Sequence, residues 1–487
     1  MDRTLTRMMA TAVAAWLLAA CGGAGSTAVT ENVDAGTKDA TSSSPDGRVD
    51  SEAGGGATSQ CSPASTSRYG LDAHGCTFKG FAPAVAYTTA NEPLSVLAID
   101  RTCSGHLDLV VGERTSAGWP TSEFFTNQGH GTFAASSSYG ASGNRVAAMA
   151  AADFNGDGRI DLASQSNGTE FMDDGSDGGA IGIDLGTPAG AFATGLVSYP
   201  TPETTGYLAA GDFNGDGHPD LAFAGFNYIE TVGGPVGDSG LVATPGPEPT
   251  NFALDVYFNS GDGGFAAPVA YPTPDWFQSI ATGDFNGDGH LDIAALTSTS
   301  EGGFGVFFNG GDGTFRNELT FVASTGWVAY GLGVADFNGD GKDDVATTSI
   351  RNPNQSNETN VLEVFSGAGN DTFSGPAMYP IVDVPSVYQV VTGDFNGDGR
   401  PDIAIVIGLS PTSGPIEPTP VSVFENLGDG TFGAPVTYHV GGGLMEYATA
   451  IAAGDFNGDG ITDIAVTTDG DESASPLTVS VLLSQCE

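Results

Sequence analysis

Nine residues set the limits on how this chain folds. The stretch DFNGDGRID, residues 153–161, holds three aspartates, one asparagine and two glycines, and close copies return five more times. With one looser version included, aspartate-headed nonamers begin at Asp100, Asp153, Asp212, Asp284, Asp336, Asp394 and Asp455, at intervals between 52 and 72 residues. A period of that size marks one supersecondary unit repeated seven times, so the expectation of three average domains for 487 residues is set aside.

Each unit reads as four strands. Small and aliphatic residues precede the nonamer, as in YLAAGDF from Tyr207, and a β-branched or aliphatic run follows it, as in DIAVTT from Asp463. That pattern is strand, loop, strand. Further on, VSVFENLGDGTFGAPVTY from Val421 places two alternating runs around a Gly-Asp-Gly turn. Glycine there supplies the positive φ that a tight hairpin needs. Units of about 50 residues with four strands each predict an all-β fold, a seven-bladed β-propeller whose aspartate loops join strands one and two.

A ring must close, and the two chain ends offer a way. The last unit stops after its third strand in LTVSVLLSQCE, while GCTFKGFAPAVAY from Gly75 reads as an orphan turn and fourth strand. The N-terminal strand is therefore expected to complete the last blade. Aligning Thr77-Phe78 with Thr431-Phe432 sets Cys76 two positions from Cys486 across one turn, within reach of a disulfide. Setting aside Cys21, four cysteines allow three pairings, and this one leaves Cys61 with Cys103.

The repeated aspartates answer to a hard cation. Calcium takes six to eight oxygens, and alternate carboxylates around a glycine turn supply them. The expected ligands are Asp153, Asn155, Asp157 and Asp161 with the carbonyl of Arg159; Asp212, Asn214, Asp216 and Asp220 with that of His218; and Asp284, Asn286, Asp288 and Asp292 with that of His290. The same offsets give Asp336, Asn338, Asp340 and Asp344 with Lys342; Asp394, Asn396, Asp398 and Asp402 with Arg400; and Asp455, Asn457, Asp459 and Asp463 with Ile461. Six Ca2+ sites are thus expected. An EF-hand would need a Glu at position twelve, where these loops have Ser164, Phe223, Ala295, Thr347, Ile405 and Val466. Metal-free Asx turns are disfavoured because three carboxylates in nine residues repel without a counter-ion. The first loop, DRTCSGHLD from Asp100 to Asp108, carries Thr102 and Ser104 where Asn and Asp stand elsewhere, so strong calcium binding is not expected there.

Together with FGAP at Phe432 to Pro435, FAAP at Phe265 and FSGP at Phe373, these loops resemble the FG-GAP or VCBS repeats of the integrin α-chain propeller and its bacterial relatives. The resemblance runs through the propeller domain, residues 69–487. It implies the fold, and because one fold carries many sites it leaves function open. Relatives of this class include lectins and carbohydrate-active enzymes.

The N-terminal region assigns a compartment. Arg3 and Arg7 precede an apolar run of thirteen residues ending at Ala20, too short for a stable membrane span and typical of an export signal. LAAC, Leu18 to Cys21, resembles the lipobox of bacterial lipoproteins, which implies a signal peptide at 1–20, lipidation of Cys21 and a cell-envelope location. Gly22 after the cysteine resembles outer-membrane or cell-surface sorting. Residues 21–68 are Ser, Thr, Gly, Ala and Asp with almost no large apolar residue, the composition of a disordered tether. A net charge of −45, from 14 Lys and Arg against 59 Asp and Glu, argues against nucleic acid as a partner. Six calcium ions would bring that charge only to about −33.

Strand alternation puts the aspartate loops and the Gly-Asp-Gly turns on one face of the ring. The opposite face then carries the longer loops from Asn167, Asn227 and Arg351, and the aromatics Tyr207, Trp276, Phe277, Trp327, Tyr330, Tyr388 and Tyr447 as candidates for stacking on sugar rings or anchoring a protein. Catalysis has little to stand on: no nucleophile elbow, zinc-protease motif or phosphate loop is present. His106, His218 and His290 sit at the carbonyl position of aspartate loops and His130 in a turn. The sequence therefore predicts a monomeric, calcium-stabilised envelope propeller for adhesion or capture of a glycan or an envelope or extracellular protein, touching the membrane only through its lipid. The alternative is a polysaccharide hydrolase or lyase with its site at the mouth of the ring.

Overall fold

The computed structural model describes residues 78–486 apart from 115–120, 141–145, 167–178, 202–204, 227–251, 274–275, 298–302, 317–318, 322–326, 352–358, 382–385, 409–418, 442–446 and 470–476. The expected signal peptide, Cys21, tether, Cys61 and Cys76 lie outside those residues. Seven four-stranded antiparallel sheets follow one another, each a meander. Blades 1 to 6 occupy residues 92–140, 146–201, 205–273, 277–321, 327–381 and 386–440, and blade 7 occupies 447–482 plus Val85–Thr88. First strands of successive blades touch, and that of blade 7 touches that of blade 1, so the ring closes. The chain is a seven-bladed β-propeller. Among the described residues there is no helix, and so none long and apolar enough to cross a membrane.

Composition follows position in the ring. Seven first strands converge on one axis, where bulky side chains would collide, and VAAMAAA and YATAIAAG meet that demand with alanine and glycine. The fourth strands lie on the rim and alternate, leaving Val85, Val269 and Val436 about half exposed. Between these extremes the apolar side chains gather in seven clusters, one at each seam between blades. Phenylalanine dominates them, and each fully buried ring contributes about 1.5–3 kcal/mol.

The N-terminal strand closes the ring as expected, but in a different register. Phe81, not Phe78, takes the place of Phe432: Phe81 pairs with Ser484 as Phe432 pairs with Asn426, and it meets Phe395 and Tyr438 as Phe432 meets Phe337 and Tyr379. The alignment on Thr77-Phe78 is therefore corrected by three residues. FAPAVAY from Phe81 matches FGAPVTY from Phe432 position by position. Phe78 lies opposite Cys486, in a two-stranded extension of blade 7. Neither Cys76 nor the Cys486 side chain is among the described groups, so their pairing lies outside them. Cys103 is held in a disulfide whose partner is likewise outside.

Two polar devices complete the seams. At closure, the connection from blade 7 into blade 1 is bound by a buried pair of acids: Glu123 Oε2 accepts from Ala90 N at 3.2 Å, and Glu113 accepts from Asn91 N at 3.2 Å and from its side-chain amide at 2.9 Å. At four seams, the closing one included, an asparagine spans the gap. Asn309 Nδ2 donates to the carbonyls of Phe213 in blade 3 (2.7 Å) and Leu291 in its own blade (3.0 Å), and Asn127, Asn259 and Asn426 repeat that pattern against Phe456, Phe154 and Phe337.

Replacing Asn309 with alanine strips donors from two buried carbonyls, each worth about 1–3 kcal/mol when left unpaired, so chemical denaturation is expected to register a loss of about 2–4 kcal/mol. A loss under about 0.5 kcal/mol, the size of an ordinary surface change, would refute the clasp. Burial, and then the adjacent Glu113, raises the Glu123 carboxyl from 4.5 to about 7. The folded protein therefore holds a proton that the unfolded chain has released, and stability falls as pH rises between those two values. Glu123→Gln should lose less stability than wild type over that interval in parallel thermal melts, and an identical pH slope would count against the assignment.

Candidate metal centres and ligand face

Glycine makes the aspartate loop possible. Gly156 and Gly158 adopt φ of 70° and 82°, and the four residues between Asp153 and Gly158 wrap around the first carboxylate. Asp153 Oδ1 accepts from Asp157 N at 3.0 Å and its Oδ2 from Gly158 N at 2.8 Å; Asn155 Oδ1 accepts from Asp157 N at 2.8 Å, and Asp157 Oδ1 from Arg159 N at 2.9 Å. Asp212, Asp284, Asp336, Asp394 and Asp455 do the same in their loops. The result is a surface loop whose carboxylate and amide oxygens fold back onto its own backbone.

The ninth residue of each loop is different in kind. Asp161, Asp220, Asp292, Asp344, Asp402 and Asp463 are wholly buried. Their Oδ2 accepts from the backbone N of the phenylalanine at loop position two, at 2.9 to 3.3 Å. Their Oδ1 reaches the end of strand three, accepting from Gly186, Asn259, Asn309, Gly367, Asn426 or Ser484 N at 2.7 or 2.8 Å. One carboxylate thus ties loop to hairpin within a blade. Burial, and after it the charge of the neighbouring loop aspartates, pushes the carboxyls of Asp161, Asp220, Asp344 and Asp463 up to about 7 and those of Asp292 and Asp402 up to about 8. Buried backbone donors do not offset that cost.

The oxygens fit a calcium ion in chemistry and in count: three carboxylates, one asparagine oxygen and the position-seven carbonyl per loop. An oxygen with two lone pairs can accept an N–H and still face a cation. As the loops stand, their carboxylates are turned onto backbone donors, and among the described residues no three acidic, imidazole or thiol side chains are gathered closely enough to hold a metal. The side chains at position seven lie on the loop: Arg159, Lys342 and Arg400 pair with Asp157, Asp340 and Asp398 at 3.0 to 3.4 Å. These are solvent-exposed pairs of small energetic weight.

The first loop solves the charge problem from within the chain. It keeps the fold of the others, with Ser104 N and Gly105 N on Asp100 at 2.9 and 2.7 Å and Cys103 at φ 55° in the place of Gly156. At position two it has Arg101 instead of phenylalanine, and the guanidinium Nε lies 3.3 Å from Asp108 Oδ2, both side chains being nearly or wholly buried. Burial raises the Asp108 carboxyl and Arg101 opposes the rise. Sequence reasoning noted Thr102 and Ser104 in this loop and passed over Arg101; the signal was a cation where six loops have phenylalanine. The asparagine of the hairpin turns was likewise visible, in NSGDG, NGGDG and NLGDG, without a role attached.

The aspartate loops and hairpin turns do share one face. Gly263 N donates to Phe154 O at 3.1 Å and Gly131 N to Phe456 O at 2.9 Å, each a turn of one blade meeting the loop of the blade before it. On the opposite face most connections lie outside the described residues, including nearly all of the loops from Asn167, Asn227 and Arg351. Of the candidate aromatics, Tyr207 and Phe277 are 2 % and 1 % exposed and belong to the seam between blades 3 and 4. They pack the core and offer no face to a ligand, which corrects the expectation for those two. Trp276 is half-buried against the same cluster and Tyr330 is half-buried in the first strand of blade 5. Trp327, Tyr388 and Tyr447 lie in first strands, with side chains outside the described groups.

A model of the FG-GAP-like repeat matches residues 77–164, 241–295, 284–347, 351–405 and 408–466. No curated protein matches the chain. Among solved structures it is similar to the BP39L lectin from Burkholderia pseudomallei, at 14 % identity and a TM-score of 0.48 over 82 % of this chain and 99 % of that one. It is also similar to a triple arginine-to-alanine mutant of AofleA from Arthrobotrys oligospora, at 13 % identity and a TM-score of 0.39 over 75 % of this chain and 88 % of that one. With well over half of its length matched by the repeat, and with seven loop-bearing blades in a closed ring, the protein belongs to the FG-GAP-like repeat family.

Proposed function

We propose that this protein is a calcium-stabilised propeller of the bacterial cell envelope that captures a ligand, a glycan or an extracellular or envelope protein, on the face opposite its aspartate loops. One observation supports the calcium reading above the rest. Seven loops bury the same carboxylate, one of them beside an arginine, and the six without that arginine each carry two further aspartates and an asparagine within eight residues of the buried acid. A divalent cation from solution does there what the guanidinium does in blade 1. When bound, calcium supplies two positive charges; Asp153, Asn155, Asp157, the Arg159 carbonyl and Asp161, and their counterparts, would hold it.

Envelope location follows from Arg3, Arg7, the apolar run and Cys21, with residues 21–68 as the tether and a lipid at Cys21 as the anchor. Ligand capture follows from the division of the ring. The aspartate face carries loop-to-turn contacts, and the longer connections of the other face, with Trp276, Trp327, Tyr330, Tyr388 and Tyr447 near them, are the residues we propose to specify a partner. A disulfide between Cys76 and Cys486 would lock the extension that follows the closing strand.

Metal analysis of the full chain should find about six calcium ions, falling by one in Asp292→Asn, and chelation should lower the thermal midpoint. At free calcium 100 times the dissociation constant each site adds about 2.7 kcal/mol, so the shift should be large and should vanish when calcium is restored. Calcium-free protein with an unchanged midpoint would sink the metal reading. For the ligand, a glycan and polysaccharide array probed with and without calcium should give hits that weaken at least tenfold in Trp276→Ala. A blank array with a folded protein would redirect the search to a protein partner, and turnover of a bound polysaccharide would replace capture with catalysis.

A further inference from the structure

Blade 1 differs from the other six at one residue whose consequences extend across a seam. In blades 2 to 7 loop position two is phenylalanine, and each ring stacks on an aromatic of the next blade: Phe154 on Phe265, Phe213 on Phe315, Phe285 on Phe373, Phe337 on Phe432, Phe395 on Phe81 and Phe456 on Phe133, with centroids 5.3 to 6.2 Å apart. Arg101 stands in that socket between blades 1 and 2. Its guanidinium faces Asp108, donates to Thr126 Oγ1 at 2.7 Å and to the Gly190 carbonyl of blade 2, and lies 4.8 Å from the centre of the Phe124 ring. Phe124 in turn meets Phe192 of blade 2 at 5.6 Å.

We infer that Arg101 is a resident cation that takes the place of a metal ion in blade 1 and clasps blade 1 to blade 2, so that this seam keeps its structure at calcium levels that release the other six. The inference rests on the calcium reading for the contrast between seams, while the clasp stands on its own contacts. Arginine suits the role because its planar fork serves several acceptors at once and remains charged at any physiological pH. At positions three and five residues 100–108 hold Thr102 and Ser104 in place of Asn and Asp, so this loop lacks the second carboxylate that the other six add above the buried one. The ring then has one seam, between blades 1 and 2, independent of its medium.

The test is amide hydrogen exchange on the full chain, with calcium and with chelator, in wild type, Arg101→Met and Arg101→Met/Asp108→Asn. Chelation should speed exchange at least tenfold in the six DFNGDG loops and leave residues 100–108 and the turn at 187–191 as they were. Arg101→Met should speed exchange at least tenfold in those two segments even in calcium, and the double variant, which removes the stranded carboxylate, should recover protection in residues 100–108 while 187–191, still without its donor, stays fast. The disulfide at Cys103 is present in every variant, so it cannot produce that difference. Wild-type protection in Arg101→Met, or opening of residues 100–108 together with the other loops on chelation, would overturn the proposal. No response to chelation in any loop would defeat the calcium reading alone, because the Arg101→Met arm judges the clasp without it; should that variant fail to fold, the double variant decides, since wild-type protection at 187–191 without Arg101 would overturn the clasp.

Discussion

Each blade depends on one carboxylate that water does not reach. In six of the seven loops the ninth residue holds its own loop with one oxygen and the end of strand three with the other, so the two hairpins of a blade share a single anchoring point; in blade 1 Asp108 keeps the second contact, to Asn127 N, and faces Arg101 with its other oxygen. Moving a carboxylate out of water costs several kcal/mol unless a positive charge accompanies it. Backbone N–H groups satisfy its lone pairs without cancelling its charge. Among the described residues one loop has a chain-borne answer to that problem, Arg101 beside Asp108, and the other six have phenylalanine in its place.

That local requirement spreads because the anchor is wired into the seam. The Asn309 backbone N–H is bound by Asp292 while its side chain is bound by the Phe213 carbonyl of the preceding blade, so a loosened carboxylate in one blade frees the donor that grips its neighbour. The same asparagine lies beside the phenylalanine stack that fills the seam. In an open array such damage would stay between two repeats. In a ring, the first strand of blade 7 must still meet that of blade 1, and a change of angle at any seam is passed to the closure.

Much of this was legible in the sequence, and the limits have physical causes. Seven aspartate nonamers and the strands around them gave blade number, strand order and the shared face, because a loop with two obligatory positive-φ glycines can be built in few ways. The closing strand was found, but anchored on Phe78 where Phe81 fills the socket. Both are aromatics followed by a plausible strand, and only the contacts with Phe395 and Tyr438 separate them. Arg101 and Asn309 escaped for a related reason. Their roles lie in what they touch across a seam, and separations of 25 to 96 residues along the chain leave no local pattern. Tyr207 and Phe277 show the converse error, since alternation places a residue on an end of the ring and cannot say whether the next blade covers it.

The repeating residues are also the ones least able to carry specificity. Aspartates, glycines, asparagines and phenylalanines of the repeat are bound to one another, and a residue used in the same way by every blade cannot mark out one place on the ring for a ligand. What distinguishes one blade from another lies elsewhere: an arginine in blade 1, a buried acid pair at closure, and on the face opposite the loops the unequal connections and the tryptophans at 276 and 327. The net charge of −45 belongs to the whole chain and sets it against polyanions in general without choosing a place on the ring. The search for function therefore belongs with the residues that break the repeat, on a scaffold whose uniform part is occupied in holding itself together.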